Sequence, residues 1–300
     1  MQKIYLFIVV IGLSLVPFAV CNAQDSTSSP KKTFECQNID PIFRQLTTSL
    51  IEDGFKGDEI CSIFSHSSVK FNPKVMPRKM THKEASLHYE AFLESSRIKR
   101  AKRYLDKNKE LFESVEKEYG VPKEVKVAIL LVETDLGRYL GSGLAINNLA
   151  SMAVASDLEK VRDFLPASYR NLTPKQKLRL QNKLAKKSKW AYSELKSLII
   201  YAEKNGLDLH TMKGSIFGAI GLCQFMPSNA LKFGVDFNKD GRVDLFDPAD
   251  AIASMANYLQ YYGWRPGLSP NGQLKVIKHY NHSTPYAKTV LEVAKRVKQI

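Results

Sequence analysis

Apolar residues recur every three to four positions along most of this chain, which is the pattern of helices packed against a core. The first such segment opens at Asp40-Pro41 and continues through residue 51. The same pattern predicts helices over residues 83–95, 98–119, 122–136, 188–204, 248–262 and 285–299. No convincing run of alternating apolar and polar residues indicates a sheet. The sequence therefore predicts an all-α protein.

The start of the chain differs from this pattern. Lys3 precedes an apolar run over residues 4–20, and Cys21-Asn22-Ala23 supplies small residues after it. This order is typical of a signal peptide, so we expect residues 1–23 to be removed and the protein to be exported to the periplasm. A lipoprotein anchored through Cys21 is the less favoured alternative, because Val20 stands where such signals usually have Gly, Ala or Ser. Residues 24–35 are polar without a periodic face and predict a flexible linker.

The remaining domain, residues 36–300, is basic and contains three cysteines. The whole chain has a formal charge of +14, and the leader contributes only Lys3 to its charged residues. Such a charge favours polyanions, and for an exported protein these are the cell wall and lipid head groups. No nucleic-acid-binding signature is present, and we expect none to be bound. Export makes a Cys36–Cys61 disulfide plausible, while Cys223 fits a small buried filler better than a nucleophile.

Residues 172–189 form a basic amphipathic stretch in which Leu178, Leu180 and Leu184 only partly align. Its simplest interpretation is a solvated helix face, and contact with an anionic wall or membrane surface is the alternative.

Glu133 is the strongest catalytic candidate. Gly120 suits the end of one helix, Pro122 suits the first turn of the next, and residues 127–132 are apolar all round. Glu133 follows directly, close to the helix end at Gly137, so a low dielectric and the helix dipole both favour its neutral form. A raised pKa suits a general acid. From these residues alone, Glu133 could equally turn to solvent or pair with Arg138, and Asp135 is expected to lie exposed on another face.

Four motifs resemble the membrane-bound lytic transglycosylase B family, in that family's order. They are residues 121–137 (VPKEVKVAILLVETDLG), 213–228 (KGSIFGAIGLCQFMPS), 236–252 (DFNKDGRVDLFDPADAI) and 279–287 (HYNHSTPYA). With the segments between them, they cover most of residues 96–300. The resemblance implies a mostly helical, lysozyme-like catalytic core that cleaves the glycan strands of peptidoglycan.

The resemblance also implies roles for individual residues. Glu133 matches the single catalytic carboxylate, and Ser215 matches the serine beside it. Four further positions match residues that line the sugar groove: Gln224, Tyr280, Asn281 and Tyr286. Amides and hydroxyls can hydrogen-bond sugars, and aromatic faces can stack on their rings. Read without the family, each of these residues is ordinary, and a Tyr-Asn pair before a helix can simply cap it.

The chain departs from the family in three segments. Residues 167–190 look like an insertion, and the connection over 264–278 is shorter than in some members. Residues 156–162 replace a Tyr-Pro-Arg-Arg stretch that some members carry, which puts recognition of the stem peptides in doubt.

One carboxylate suffices for the reaction that the resemblance implies. Ordinary glycosidases use two carboxyl groups. Here the acid protonates the glycosidic oxygen, the substrate's N-acetyl group stabilises the cation, and the muramic acid 6-hydroxyl attacks to give a 1,6-anhydro sugar. The same glutamate then accepts the hydroxyl proton.

Residues 236–247 have the spacing of an EF-hand-like calcium loop. Gly241 occupies the tight sixth position, and the predicted ligands are Asp236, Asn238, Asp240, the Arg242 carbonyl, Asp244 and Asp247. Asp247 is shorter than the usual Glu, and it precedes Pro248, where an aspartate is also a natural helix cap. We expect a structural Ca²⁺.

Two rival functions remain. One is a muramidase-type hydrolase on the same scaffold, and the other is a non-catalytic, calcium-binding protein of the cell wall. For the oligomeric state we expect a monomer.

Overall fold

The computed structural model describes residues 36–82, 89–169 and 171–300, and these confirm the all-α prediction. Within these ranges the α-helices are α1 (Arg44–Glu52), α2 (Gly57–Ser65), α3 (Val75–Thr81), α4 (Ser95–Lys107), α5 (Lys109–Tyr119), α6 (Lys123–Thr134), α7 (Ala145–Val154), α8 (Pro174–Asn205), α9 (Pro227–Phe233), α10 (Pro248–Tyr261), α11 (Pro270–Tyr280) and α12 (Thr284–Lys298). Short 3₁₀ helices span Pro41–Phe43, Tyr89–Leu93, Arg162–Phe164 and Ala167–Tyr169. The only strands in these ranges, β1 (Gly143–Leu144) and β2 (Lys213–Gly214), pair antiparallel.

The predicted signal peptide and linker lie outside the described residues, as do residues 83–88 of the predicted helix 83–95. The described end of that segment contains a 3₁₀ helix, Tyr89–Leu93. Across the part of the chain that is described, no helix combines the length and apolar character needed to cross a membrane.

Two predicted helices have different bounds in the structure. The segment 98–119 is broken into α4 and α5 at Asn108, whose side-chain amide donates to the Tyr104 carbonyl (2.8 Å) and so competes with the helical backbone. The basic stretch and the segment 188–204 form one helix, α8, which starts at a Thr173–Gln176 capping box. On α8, Leu184 is buried, whereas Leu178 is 63% exposed, which fits a solvated outer face.

Helix α6 lies at the centre of the core, as its all-round apolar sequence predicts. Residues 127–131 are fully buried, and α4, α5, α10 and α12 pack around them. Gly120 ends α5 in the left-handed conformation (φ 68°), as expected, and α6 starts at Lys123, directly after Pro122. The rest of the core forms where α7 packs on α8 and α8 packs on α9.

The N-terminal segment is tied to this core by a disulfide that the sequence left open. Cys36 and Cys61 are bonded, with their Cα atoms 5.0 Å apart, which joins the segment before α1 to α2. Cys223 is free and buried, as predicted for a filler.

Candidate functional site

Glu133 lies in the last turn of α6 and is partly buried. The helix stops abruptly after it, because Asp135 (φ 50°), Leu136 (φ 62°) and Gly137 (φ 87°) all adopt the left-handed conformation. Two consecutive non-glycine residues in this conformation are uncommon and cost free energy. The chain therefore turns away at once, and the Glu133 carboxyl is left at the end of an otherwise apolar helix.

Asp135 does not behave as the sequence predicted. Its carboxylate is only 28% exposed and is bound by Arg100 of α4, with Arg138 3.7 Å away. The prediction of an exposed aspartate was wrong, because α4 packs on α6 and brings a guanidinium to this position. Arg138, which the sequence offered as a partner for Glu133, pairs with Asp135.

Tyr286 makes the contact that defines the site. Its hydroxyl donates a 2.6 Å hydrogen bond to Oε1 of Glu133. Tyr286 lies in the first turn of α12, where the Ser283 hydroxyl accepts its backbone N–H, and its side chain is 2% exposed. The Tyr89 ring packs edge-on against it, with centroids 6.0 Å apart. The phenol is thus held in one position, and it orients the carboxyl.

Thr134, which the sequence did not single out, joins the end of α6 to the next part of the site. Its buried hydroxyl donates to the Leu222 carbonyl (3.0 Å) and accepts the Gly137 N–H (3.1 Å). Gly137 also has no room for a side chain, because a Cβ there would lie 2.7 Å from a Leu222 methyl group. The helix end and the turn that contains Leu222 therefore form one rigid unit.

Gln224 occupies that turn. Ile220 and Phe225 pair across it, and Gln224 itself has φ 50°. The Gln224 side-chain amide donates to the Gly221 carbonyl (2.9 Å), which fixes the side chain and leaves its carbonyl oxygen for other partners. This positive φ has no sequence signal, because glutamine seldom adopts it.

Tyr280 contacts the same turn from α11. Its hydroxyl donates to the Cys223 carbonyl (2.5 Å). Burial raises the pKa of Tyr280 well above its usual value. Burial likewise raises the pKa of the Cys223 thiol to about 12. Tyr280 therefore remains a neutral hydrogen-bond donor, and Cys223 remains a thiol that is not a nucleophile at neutral pH.

Ser215 and Asn281 each lie in a tight turn. The Ser215 Oγ accepts the backbone N–H of Ala219 (3.0 Å) and of Phe217 (3.3 Å). Its turn packs on the segment that follows α6, where a Cβ on Gly141 would lie 1.9 Å from the Gly214 carbonyl oxygen. Asn281 ends α11, and its Oδ1 accepts the Ser283 N–H (3.0 Å) before α12 begins.

The predicted calcium loop has the expected turns. Asp236 accepts the Asp240 and Gly241 N–H groups, and Gly241 has φ 92°. Asn238 accepts the Asp240 N–H (3.0 Å), and the Asp240 carboxylate accepts the Arg242 N–H (3.1 Å). Among the described residues, no three Asp, Glu, His or Cys side chains are arranged to hold a metal ion.

Asp247 performs the competing role that the sequence offered. Its carboxylate accepts the N–H groups of Ala249 and Asp250 and caps α10. The buried Asp250 side chain holds the loop from within: it accepts the N–H groups of Phe237 (2.9 Å) and Asp244 (2.8 Å). Sequence spacing did not single out Asp250, because it lies beyond the twelve-residue loop pattern.

The loop is mechanically connected to the site. The Leu245 carbonyl, just after Asp244, accepts the Leu222 N–H (2.8 Å), and a Cβ on Gly221 would lie 2.4 Å from the same oxygen. Anything that stiffens residues 236–247 therefore also stiffens the turn that presents Gln224.

Among proteins of known family, the transglycosylase SLT domain matches residues 38–273. The membrane-bound lytic murein transglycosylase B of Escherichia coli (strain K12) is 32% identical over 159 residues, which are 52% of this chain and 36% of that protein. This chain thus spans little more than a third of the length of that curated relative.

Solved structures share the fold. The soluble lytic transglycosylase SltB1 of Pseudomonas aeruginosa superposes with a TM-score of 0.68 at 23% identity, over 85% of this chain and 97% of that one. The Escherichia coli lytic transglycosylase SLT35, solved in complex with calcium, gives a TM-score of 0.67 at 24% identity, over 87% and 93% of the two chains.

Proposed function

Because the chain belongs to the transglycosylase SLT domain family, we propose that it is a lytic transglycosylase of peptidoglycan. It cleaves the β-1,4 bond between N-acetylmuramic acid and N-acetylglucosamine and releases a 1,6-anhydro-muramic acid end. The 2.6 Å bond between Tyr286 and Glu133 is the observation that supports this function best, since it fixes one carboxyl oxygen and directs the other away from the phenol.

Glu133 serves as both acid and base. Its protonated carboxyl donates the proton to the glycosidic oxygen as the bond from that oxygen to the muramic acid C1 breaks. The substrate's N-acetyl group stabilises the cation at C1, and the 6-hydroxyl attacks the same carbon. The resulting carboxylate takes the hydroxyl proton, which restores the acid. Asp135 is unsuited as a second acid, since two arginines hold its charge.

The remaining predicted residues position the sugar and the acid. Tyr286 orients Glu133, while Ser215, Gln224, Tyr280 and Asn281 provide hydroxyl and amide groups along the groove. Their turns are bound to one another through Thr134 and the Cys223 carbonyl, and such rigidity is what positioning requires.

A structural Ca²⁺ bound by the loop 236–247 is the second part of the proposal. The side-chain oxygens of Asp236, Asn238 and Asp240 and the Arg242 carbonyl are hard donors of the type that Ca²⁺ prefers. Asp244 and Asp247 would complete the set, since Asp247 caps α10 through its Oδ1 alone. The ion would neutralise the charge of these carboxylates and would take no part in the bond-breaking step.

The proposed substrate also agrees with the charge of the chain. A protein of charge +14 is attracted to the carboxylates of the cell wall. We place it in the periplasm, exported by residues 1–23, with the peptidoglycan glycan strand as its partner. Within the predicted insertion, residues 167–190, Ala167–Tyr169 form a 3₁₀ helix and Pro174 begins α8.

The chemical form of the product tests the function. Purified protein is incubated with sacculi, and the soluble fragments are measured by mass spectrometry. Fragments ending in 1,6-anhydro-muramic acid, 18 Da lighter than their hydrated forms, support transglycosylation. Reducing muramic acid ends would establish a hydrolase instead, and binding without any release would establish a non-catalytic wall protein.

A further inference from the structure

A second group of side chains lies beside the Ser215 turn, and the reaction proposed above does not use it. We define the Lys79 cluster as Lys79, His82, Trp190 and Phe217. The ammonium group of Lys79, in α3, lies 4.2 Å from the centroid of the Phe217 ring and 4.5 Å from that of Trp190. The exposed His82 ring meets Phe217 edge-on at 5.3 Å. Three separate segments thus bring one cation between two aromatic rings.

The cluster adjoins the groove through Phe217. Phe217 belongs to the turn in which the Ser215 Oγ accepts the N–H groups of Phe217 and Ala219. That turn packs on the segment that leaves α6 after Glu133, at Gly141. A glycan strand of the substrate that binds across Ser215 would therefore extend past Phe217 toward Lys79.

The Lys79 ammonium group lacks an anionic partner within the part of the chain that the structure describes. There, no oxygen accepts a hydrogen bond from it and no carboxylate lies within ion-pair distance. The nearby carboxylate of Glu194 is buried and already accepts the Ser228 N–H (3.0 Å) and hydroxyl (2.8 Å). An ammonium group taken partly out of water without an anion is costly, and aromatic faces compensate only in part.

The electrostatics agree with this geometry. Burial, together with the positive charge of Lys187 on α8, lowers the pKa of Lys79 to about 8, although Glu194 opposes this shift. Lys79 is therefore mostly charged at neutral pH, and a carboxylate placed beside it would raise its pKa again.

We propose that the Lys79 cluster is a subsite that binds a free carboxylate of the stem peptide carried by the glycan strand. Lys79 supplies the charge, while Trp190 and Phe217 exclude water and hold the ammonium group in place. This inference rests on the proposed function and adds a determinant of substrate choice to it. The sugars of the strand carry hydroxyl and amide groups, so the stem peptides provide the carboxylates that a lone ammonium group would select.

The test compares two substrates: glycan strands that carry stem peptides, and the same strands after the free stem carboxylates have been converted to amides. The measured quantity is the ratio of kcat/KM for the first substrate to that for the second. Lys79→Met removes the charge and keeps about the same apolar volume as the aliphatic part of the lysine side chain. For this variant we expect the ratio to fall roughly tenfold through a higher KM, as expected for a lost charge-assisted hydrogen bond. Lys79→Arg retains the charge and should retain most of the ratio.

Lys74→Gln is the matched control, because Lys74 is an exposed lysine just before α3 that makes no cation–π contact with any ring in the described ranges. It should leave the ratio unchanged. Thermal unfolding of each variant verifies that it is folded. In the wild type, the ratio should also decline as the pH rises through about 8, and Lys79→Arg should delay this decline.

Binding provides a readout that does not need turnover. Calorimetry with Glu133→Gln protein and a soluble stem-bearing muropeptide should show weaker binding after amidation of the muropeptide, and Lys79→Met should abolish that difference. Equal ratios and equal affinities for folded Lys79→Met and wild type would overturn the inference and make Lys79 a packing residue. No cleavage of either strand by the wild type would defeat the proposed function, while the calorimetry would still decide whether the carboxylate is recognised.

Discussion

The Tyr286→Phe variant probes the contact on which the site depends. The change removes only the hydroxyl that donates to Glu133 at 2.6 Å. The ring is 2% exposed and packs against Tyr89, so phenylalanine fills the same space. The loss is therefore confined to one hydrogen bond, and the fold should remain intact.

The size of the effect follows from the type of bond. A hydrogen bond to a charged group contributes about 1.5–3 kcal/mol, and 1.4 kcal/mol corresponds to about tenfold in rate. We expect kcat to fall about tenfold to a hundredfold, with little change in KM, because the phenol orients the acid and not the sugar.

The assay is release of soluble fragments from sacculi, measured as kcat and KM between pH 4 and 9. Tyr192→Phe is the matched control: that tyrosine also donates to a carboxylate, Asp53, at 3.0 Å, but this contact joins α8 to the end of α1 and does not involve Glu133. It should leave kcat and its pH dependence unchanged. If folded Tyr286→Phe retains the wild-type kcat, Tyr286 does not position the acid.

Three further predictions concern stability and the metal. Lys126 is fully buried on α6, and burial lowers its pKa from 10.5 to about 7. Above pH 7 Lys126 is therefore largely neutral in the folded protein but still protonated in the unfolded chain. Its contribution to the free energy of unfolding should consequently rise by about 2 kcal/mol between pH 7 and 9. Chemical denaturation of Lys126→Met should show greater stability than wild type at pH 7 and should lack this component. Thr134→Val leaves the buried Leu222 carbonyl without its 3.0 Å donor and should destabilise the protein by about 1–3 kcal/mol, with a lower kcat; Thr134→Ser should preserve both in the same assays. Ca²⁺ at a hundredfold excess over its Kd should stabilise the wild type by about 2.7 kcal/mol in thermal unfolding, and Asp236→Ala should lose this response; an equal response would place the ion elsewhere.

Most of the helical fold could be read from the sequence because periodic apolar faces coincide with burial. Helix α6 is the clearest example, since its continuous apolar run requires a central position. Capping signals were equally informative: Gly120 ends α5, and Asp247 caps α10. The expectation of export made a Cys36–Cys61 disulfide plausible without deciding it, and the structure contains this bond.

What the sequence could not provide were features that depend on tertiary packing. The sequence did not predict α2, α3, α7, α9 or α11, and the break at Asn108 depends on a single side-chain hydrogen bond. The partner of Asp135 could not be foreseen, because Arg100 lies 35 residues away along the chain. Lys126 is buried, although lysine usually prefers solvent. Its ammonium group donates to the Phe112 carbonyl, and the sequence does not reveal this contact.

The candidate site shows the same division. Glu133, Gln224, Tyr280 and Tyr286 were identified by their motifs, and their contacts join three separate parts of the chain. Thr134, which joins α6 to the Gln224 turn, had no sequence signal, since a threonine at a helix end is unremarkable.

The most direct test of the account is sacculus digestion by Glu133→Gln beside the wild type, with a binding assay on the same sacculi. Glutamine has nearly the same shape but cannot donate and recover the proton. We predict that the variant binds sacculi as well as the wild type and releases no anhydro-muramic fragments above background. Release at the wild-type rate by the folded variant would remove Glu133 from the mechanism and contradict the account.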